Sequence, residues 1–412
     1  MQLKTIFLKL LDVFLFSNHW FVYFFLENPF MCRVFLRKYL RNRPDHFFAY
    51  YRWKPASRNS QYILILKTDA IGDYLLFRNF LAEIAAEFRP KGFKMVLAGN
   101  SAWKDLALEL DSTFVDEFIW LDRGGMNRKP SMERQLDFLS GINRYSYRKL
   151  LYPNYSREWE AGDWLVKHIP AFEKYAFNGN AVNETLWQHE EGNTFYSHLL
   201  TPEAGGKFDF FRNREIVSAF SGRDSLLEAP EIQHSTSHSQ NGRYAVFFPG
   251  ASLESRRWPE YRFSELGKMV NEKFGLDIRL AGGPSEKDLC DRIIGNDSLI
   301  FENLAGKTSL PELLKIIAGS YLLVSNDTSA IHLGAQSGIP SICIFKGNNF
   351  GRCMPYPEGL LQNFRVCMPQ KLREMTHADC VAQFSENDGL EISDISVEDV
   401  WNAVLELLPE HS

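Results

Sequence analysis

The sequence predicts an α/β protein made of two facing Rossmann-like domains with parallel sheets, preceded by an amphipathic helical extension. Three observations carry that prediction. Strand–loop–helix–strand units open near Gln61 and again near Tyr244, so the alternation starts twice. A polar stretch of low hydrophobicity, Ile232–Arg243 (IQHSTSHSQNGR), lies between the two runs and reads as a linker. A chain of 412 residues is also long enough for two or three cores. The expected division is an extension over 1–60, a first domain over 61–225, a linker over 226–243 and a second domain over 244–412.

Met1–Leu26 is rich in Phe and Leu, but Lys9, Asp12, Asn18 and His19 interrupt it, so no clean run of a membrane-spanning length exists. Nor does a small-residue cleavage site follow, as a secretory signal would require. Thr5, Lys9 and Asp12 share one helical face, with Leu3, Ile6, Leu10 and Val13 broadly opposite. Arg33, Arg37, Lys38, Arg41, Arg43, Arg52, Lys54 and Arg58 follow. Aromatics with clustered cations suit a helix lying in the headgroup layer of an anionic leaflet, or else an extension packed on its own domain.

Gln61–Leu66 (QYILIL) is the first strand, Lys67–Asp73 the loop after it, and Tyr74–Phe88 a helix leading to a strand at Lys94–Leu97. A helix over Ala102–Leu110, a strand over Glu117–Leu121, a basic loop over Asp122–Pro130, a helix over Met132–Leu139 and a strand over Tyr147–Leu151 continue the domain. Residues 152–220 are less regular, with a helix expected near Trp159–His168. The second half begins with a strand over Tyr244–Phe248 and a long loop, Pro249–Pro259. A helix over Glu260–Phe274, a strand over Asp277–Leu280 and the turn Ala281–Pro284 come next, then a helix over Ser285–Ile294. Ser309 caps a further helix with Pro311 in its first turn. Tyr321–Val324 and Ser341–Phe345 are strands on either side of a small-residue helix over Ala330–Gln336, and Val397–Leu408 is a terminal helix.

Composition removes several function classes. A net charge of −5 does not suggest a nucleic-acid partner. Six cysteines without tight pairs read as free thiols in a reducing, cytoplasmic compartment. No GxGxxG follows a strand and no GxxxxGK[ST] is present, which disfavours dinucleotide oxidoreductases and P-loop enzymes. Neither a DxD nor a His/Cys cluster indicates a dedicated metal site, and no cofactor is expected.

The candidate chemistry sits in the loops after the strands. Asp73 follows Gly72, whose freedom allows a tight turn; its carboxylate could accept a proton from a hydroxyl or could cap the next helix. Ser252, Arg256 and Arg257 pair a hydroxyl with guanidinium groups near a helix start, which suits a diphosphate, although surface arginines beside a packed Trp258 fit the same pattern. Glu286 is placed to bind a ribose diol or to cap its own helix. Asp327, Thr328 and His332 occupy the polar helix start after Tyr321–Val324, and Lys346 follows the last of these strands.

Four segments together resemble glycosyltransferase family 9, the ADP-heptose:lipopolysaccharide heptosyltransferases: ILILKTDAIGDYLL, FFPGASLESRRWPEYRFSELG, LAGGPSEKD and VSNDTSAIHLGAQSGIPSICIF. The resemblance covers roughly residues 61–390. It implies the GT-B fold and metal-independent transfer with inversion at the anomeric carbon. It implies Asp73 as the catalytic base and Ser252 and Arg256 as diphosphate contacts, Arg256 standing where members often carry Lys. Asp327 would hold the donor sugar with Thr328 and His332 in the same segment, and Glu286 is a looser match to the ribose contact. Ser329 stands where the family has a small Gly, and residues 1–60 and 152–240 have no clear counterpart. The implied partners are a nucleotide-sugar donor and a lipid-linked glycan acceptor at the cytoplasmic face of the inner membrane. A GT-B transferase using a UDP- or GDP-sugar, a nucleotide-sugar epimerase of the same architecture and a non-catalytic membrane-associated glycan-binding protein are the alternatives.

Overall fold

The computed structural model describes residues 55–124, 129–201, 206–233, 243–295 and 297–408. The amphipathic extension and its basic run up to Lys54, four residues of the Asp122–Pro130 loop and residues 234–242 of the linker lie outside these. In the first half, β1 (Tyr62–Lys67), α1 (Ile71–Leu75), α2 (Phe80–Phe88), β2 (Lys94–Asn100), α3 (Lys104–Asp111), β3 (Glu117–Leu121), α4 (Met132–Ile142) and β4 (Tyr147–Tyr152) alternate along the chain. They are followed by α5 (Trp164–His168), β5 (Ala171–Phe177), α6 (Leu186–Asn193), β6 (His198–Leu200) and α7 (Asp209–Ser221). The second half carries β7 (Tyr244–Phe248), α8 (Glu260–Phe274), β8 (Asp277–Leu280), α9 (Lys287–Ile294), β9 (Phe301–Asn303), α10 (Leu310–Ala318) and β10 (Leu322–Asn326). It ends with α11 (Ser329–Gln336), β11 (Ser341–Ile344), β12 (Phe364–Cys367), α12 (Gln370–Arg373), α13 (His377–Phe384) and α14 (Val397–Leu407).

Both sheets are six-stranded and parallel, ordered β3-β2-β1-β4-β5-β6 and β9-β8-β7-β10-β11-β12. Each half therefore repeats the doubly wound order and reverses direction between its first and fourth strands. That reversal opens a crevice past the carboxyl ends of β1 and β4 in one half, and of β7 and β10 in the other. The GT-B expectation of two Rossmann-like units is what the structure has. A parallel strand covered on both faces needs a continuous apolar run. Ile63–Leu66 meets that need, with all four side chains fully buried, each contributing roughly 1.5–3 kcal/mol of apolar transfer.

Some elements differ from the sequence reading. The single helix expected over Tyr74–Phe88 is two, α1 and α2, joined by turns over residues 76–79, where Arg78 reaches buried Asp111 at 2.8 Å. The second strand runs on to Asn100; bare Gly99 leaves room for the Trp103 ring, which a Cβ there would meet at 2.1 Å. Residues 152–220, expected to be less regular, hold β5, β6, α6 and α7. Among the described residues no helix is long and apolar enough to cross a membrane.

The halves meet along α1 and α11. Gly72 lies against His332 so closely that a Cβ would sit 3.1 Å from the ring. One apolar cluster runs through this junction, joining Ile71, Leu75 and Phe210 to Ile331, Phe345 and Tyr356. Lys315 of α10 adds an exposed ion pair to Glu109 of α3 at 2.8 Å.

Candidate functional site

The first wall of the site is the carboxyl end of β1. Lys67 is buried and donates to Asp69 at 2.7 Å and to Asn154 at 3.4 Å. Burial raises the Asp69 carboxyl to about 7; Lys67 opposes this and the charge of Asp73 adds to it. Asp73 lies in the first turn of α1, where a carboxylate meets the positive end of the helix, while Ala70 occupies the cap position without a side-chain bond. Asp73 therefore does not cap its helix, and Gly72, whose φ is not positive, serves close approach to His332 rather than a tight turn.

Three groups from two distant segments close around Asp73. Arg352, in the segment after β11, donates from Nε to Asp209 Oδ2 at 2.9 Å and from Nη1 to Ser156 Oγ at 3.1 Å. Its Nη2 lies 3.7 Å from Asp73 Oδ1. Asp209 at the start of α7 accepts Arg212 Nη1 on its other oxygen at 2.6 Å. Burial alone would raise the Asp209 carboxyl, but Arg352 and Arg212 hold it below the usual carboxylate range. Cys353 Sγ is 4.0 Å from Asp73 Oδ1, and burial pushes its thiol well up, so it stays protonated. Asp73, Asp209 and Cys353 present ligand atoms within 4.8 Å of one another, with the Arg352 guanidinium supplying positive charge there. Lys67, Asp69, Asp73, Tyr155, Asp209 and Arg352 line a pocket of about 260 Å³. A cleft of about 800 Å³ between the halves shares Tyr155, Arg212 and Arg352 with it.

The facing wall comes from the second half. Buried Asn326, the last residue of β10, donates to the Pro249 carbonyl at 2.7 Å and accepts the Trp258 N–H at 3.2 Å, so it holds both ends of the Pro249–Pro259 loop. Ser252 is exposed on that loop. Arg257 is a brace within it, donating twice to the Ala251 carbonyl at 3.0 and 2.9 Å. Arg256 and Lys346 converge on Asp388, at 3.9 and 3.2 Å, and Lys346 is itself buried. Asp327 accepts Asn348 Nδ2 at 3.1 Å, and Thr328 caps α11 by accepting the Ala330 N–H at 3.3 Å. Glu286 closes a capping turn on the Gly283 N–H at 2.7 Å, and its carboxylate lies against bare Gly250 and Gly282. His332 is packed rather than open, with Nδ1 2.9 Å from the Tyr356 hydroxyl. Burial lowers its imidazole further than Asp327 and Asp73 raise it, so it is neutral near pH 7.

The structure thus places Ser252, Arg256, Asp327 and Thr328 at the carboxyl ends of neighbouring strands β7 and β10, and Asp73 at the end of β1. Arg352, Asp209, Asp69 and Asp388 are members of the site that sequence reasoning missed. The basic segments Arg123–Lys129 and Arg144–Lys149 carry ion pairs: Arg123 to Glu158, Lys129 to Glu160, Arg144 to Glu117 and Arg148 to Glu173.

Two doubly wound halves with strand-end loops facing across a crevice define the GT-B fold. Residues 216–378 match the profile of glycosyltransferase family 9 (heptosyltransferase). It is 29% identical over 150 residues to lipopolysaccharide heptosyltransferase 1 of Escherichia coli O18:K1:H7, covering 36% of this chain and 44% of that protein. With lipopolysaccharide heptosyltransferase 3 of E. coli K12 it shares 29% identity over 170 residues, 40% of this chain and 47% of the relative. The chain therefore spans less than half the length of the curated relatives it matches. In fold it is similar to a family 9 glycosyltransferase from Veillonella parvula (TM-score 0.65, 17% identity, covering 85% of this chain and 98% of that one). It is also similar to an E. coli heptosyltransferase solved with ADP (TM-score 0.62, 19% identity, 84% and 100% covered).

Proposed function

We propose that this protein is an inverting, metal-independent glycosyltransferase that moves a sugar, heptose from ADP-heptose, onto a hydroxyl of a lipopolysaccharide-core or other cell-surface glycan. The observation that carries the reading is the placement of Asp73. A carboxylate at the end of β1 faces the crevice opposite the loops that end β7 and β10, where α/β sheets take their ligands. The match of residues 216–378 to the family 9 profile supports transfer chemistry, and the relatives named as lipopolysaccharide heptosyltransferases support the donor and acceptor classes.

In this reading the donor diphosphate meets Ser252, Arg256 and Lys346 and the positive end of α11, while Asp327 and Thr328 hold the sugar. Glu286 contacts the ribose, and His332 keeps the helix behind the sugar in register. The acceptor hydroxyl gives its proton to Asp73 as its oxygen bonds the anomeric carbon, and the bond from that carbon to the diphosphate breaks on the opposite face. The cations take up the charge on the leaving nucleoside diphosphate, which is the role a divalent ion would otherwise fill. The Phe- and Arg-rich extension holds the enzyme on the cytoplasmic face of the inner membrane, where a lipid-linked acceptor resides.

The test is Asp73→Asn, assayed with ADP-heptose and a heptose-free lipopolysaccharide acceptor. Transfer should fall at least about 100-fold, as loss of a general base does, while thermal stabilisation by ADP is kept and is indifferent to magnesium. Stabilisation by UDP or GDP in place of ADP would discard heptose as the transferred sugar. Full transfer by the variant would discard the mechanism.

A further inference from the structure

We infer that Arg352 is a positioning residue for Asp73, a cation that the second half carries across the junction to favour the charged form of the proposed base. The inference rests on the reading of Asp73 as the base. Arg352 leaves its own half at every polar contact of its side chain. Its guanidinium reaches Asp209 at 2.9 Å, Ser156 at 3.1 Å and Asp73 at 3.7 Å, and these three belong to α7, the segment after β4 and α1. Its carbonyl also accepts the Asp209 N–H at 2.7 Å, so backbone and side chain grip the same residue.

The charges around Asp73 show what the cation does. Asp69 and Lys67 face it from the end of β1, Asp209 and Arg212 from α7, His332 from α11, and Arg352 and Cys353 from the segment after β11. Lys67 is committed to Asp69 at 2.7 Å and Arg212 to Asp209 at 2.6 Å. His332 is neutral and the Cys353 thiol is protonated, for the reasons given above. Among the described residues, Arg352 is the cation in ion-pair range of Asp73. Asp69 and Asp209 set two carboxylates beside Asp73, and a base must be charged to accept a proton from a hydroxyl. Arg352 opposes them by charge alone. Its hydrogen bonds go to Asp209 and Ser156, and at 3.7 Å it leaves Asp73 oxygens free to take the acceptor proton.

The experiment is the pH–rate profile of full-length Arg352→Gln, Arg352→Lys and Asp209→Asn with ADP-heptose and the heptose-free acceptor. For Arg352→Gln the acid limb of kcat should move upward by about 1–2 pH units, the size expected on losing a close opposite charge. Donor KM should change less than about threefold by the same reasoning, since the lost contact is to the base and not to the donor. Arg352→Lys should return most of the shift. Asp209→Asn should move the limb the other way, because it removes a negative neighbour and releases Arg352 toward Asp73. A rate lowered equally at every pH, or limbs that shift in the same direction for Arg352→Gln and Asp209→Asn, would overturn the inference and leave Arg352 a structural tie. If Asp73→Asn keeps full transfer, the reading of the base fails first. If Asp73→Asn is inactive while the Arg352→Gln limb stays in place, only the inference fails.

Discussion

Replacing Gly72 by Ala sets two opposing effects against each other at the junction of the halves. The backbone accepts the change, since Gly72 lies in helix α1 without a positive φ. Helix propensity alone makes Ala better by roughly 0.5–1 kcal/mol. The new Cβ, however, would lie 3.1 Å from His332 Cδ2 and 3.4 Å from Nε2, short of the ~3.5–4.0 Å at which carbon contacts are favourable. His332 has nowhere to go: it is 4% exposed, and its ring is held 2.9 Å from the hydroxyl of Tyr356, itself 6% exposed. Overpacking of this kind costs about 1–3 kcal/mol. The expected net effect is a destabilisation of about 0–2.5 kcal/mol by that difference, with α1 pushed from α11 by a few tenths of an ångström. Asp73 follows Gly72 directly, so that displacement should lower kcat by roughly 3–10-fold, scaling from the ~100-fold cost of a 1 Å misplacement. The assay is a double-mutant cycle with His332→Ala, reading calorimetric stability and kcat. In the His332→Ala background Gly72→Ala should be stabilising by about 0.5–1 kcal/mol, because only propensity remains. A single Gly72→Ala variant that melts higher than wild type with unchanged kcat would refute the reasoning, since the junction would then have slack.

Other changes test the charges on each wall. Asp388 is 60% exposed and, in the proposed reading, would compete with the donor diphosphate for Arg256 and Lys346; solvent-screened pairs are worth only about 0.2–1 kcal/mol, so Asp388→Asn should tighten ADP binding by about 1.4–5-fold in a calorimetric titration, and weaker binding would show that Asp388 orders the cations rather than occupying them. Asp69 has a folded-state value of about 7, above its ordinary 3.8, so its contribution to stability is complete below about pH 4 and is lost as pH rises through 7. Denaturant titrations should show wild type losing stability relative to Asp69→Asn across that window, by at most about 4 kcal/mol, and a gap independent of pH would contradict it. Trp258→Phe removes the indole N–H that donates to the Ile395 carbonyl at 2.7 Å; since Arg262 also donates to that carbonyl, the loss should be about 1–2 kcal/mol with a raised donor KM, and an unchanged KM would separate the loop anchor from donor binding.

Most of the fold was legible because buried parallel strands and their caps write themselves locally. Ile63–Leu66, Tyr244–Phe247 and Leu322–Val324 are unbroken apolar runs, and Ser309 caps its helix as expected, in a capping box with Glu312 that the structure adds. Strand β5 was missed since Ala171–Phe177 (AFEKYAF) carries Glu173 and Lys174 mid-strand, and only the structure shows Glu173 pairing with Arg148 on neighbouring β4. The helix expected over Tyr74–Phe88 broke because the pull on Arg78 is tertiary: it is drawn onto buried Asp111, which also takes the Tyr74 hydroxyl.

The candidate site divides along the same line. Asp73, Ser252, Asp327 and Thr328 stand beside glycines, hydroxyls and helix starts within a few residues of a strand end, so local chemistry points to them. Arg352 has no such signal. Its partners Asp73 and Asp209 lie in the other half of the chain, and the phenylalanine- and cysteine-flanked stretch around it reads as ordinary packing. A strand-end motif can nominate a carboxylate, but the charged groups around it are ones that only the folded chain brings near it. In this protein those groups come from both halves. If Arg352 favours the charged form of the proposed base across the junction, any change that opens α1 from α11 should move the acid limb of the rate profile as well as its height.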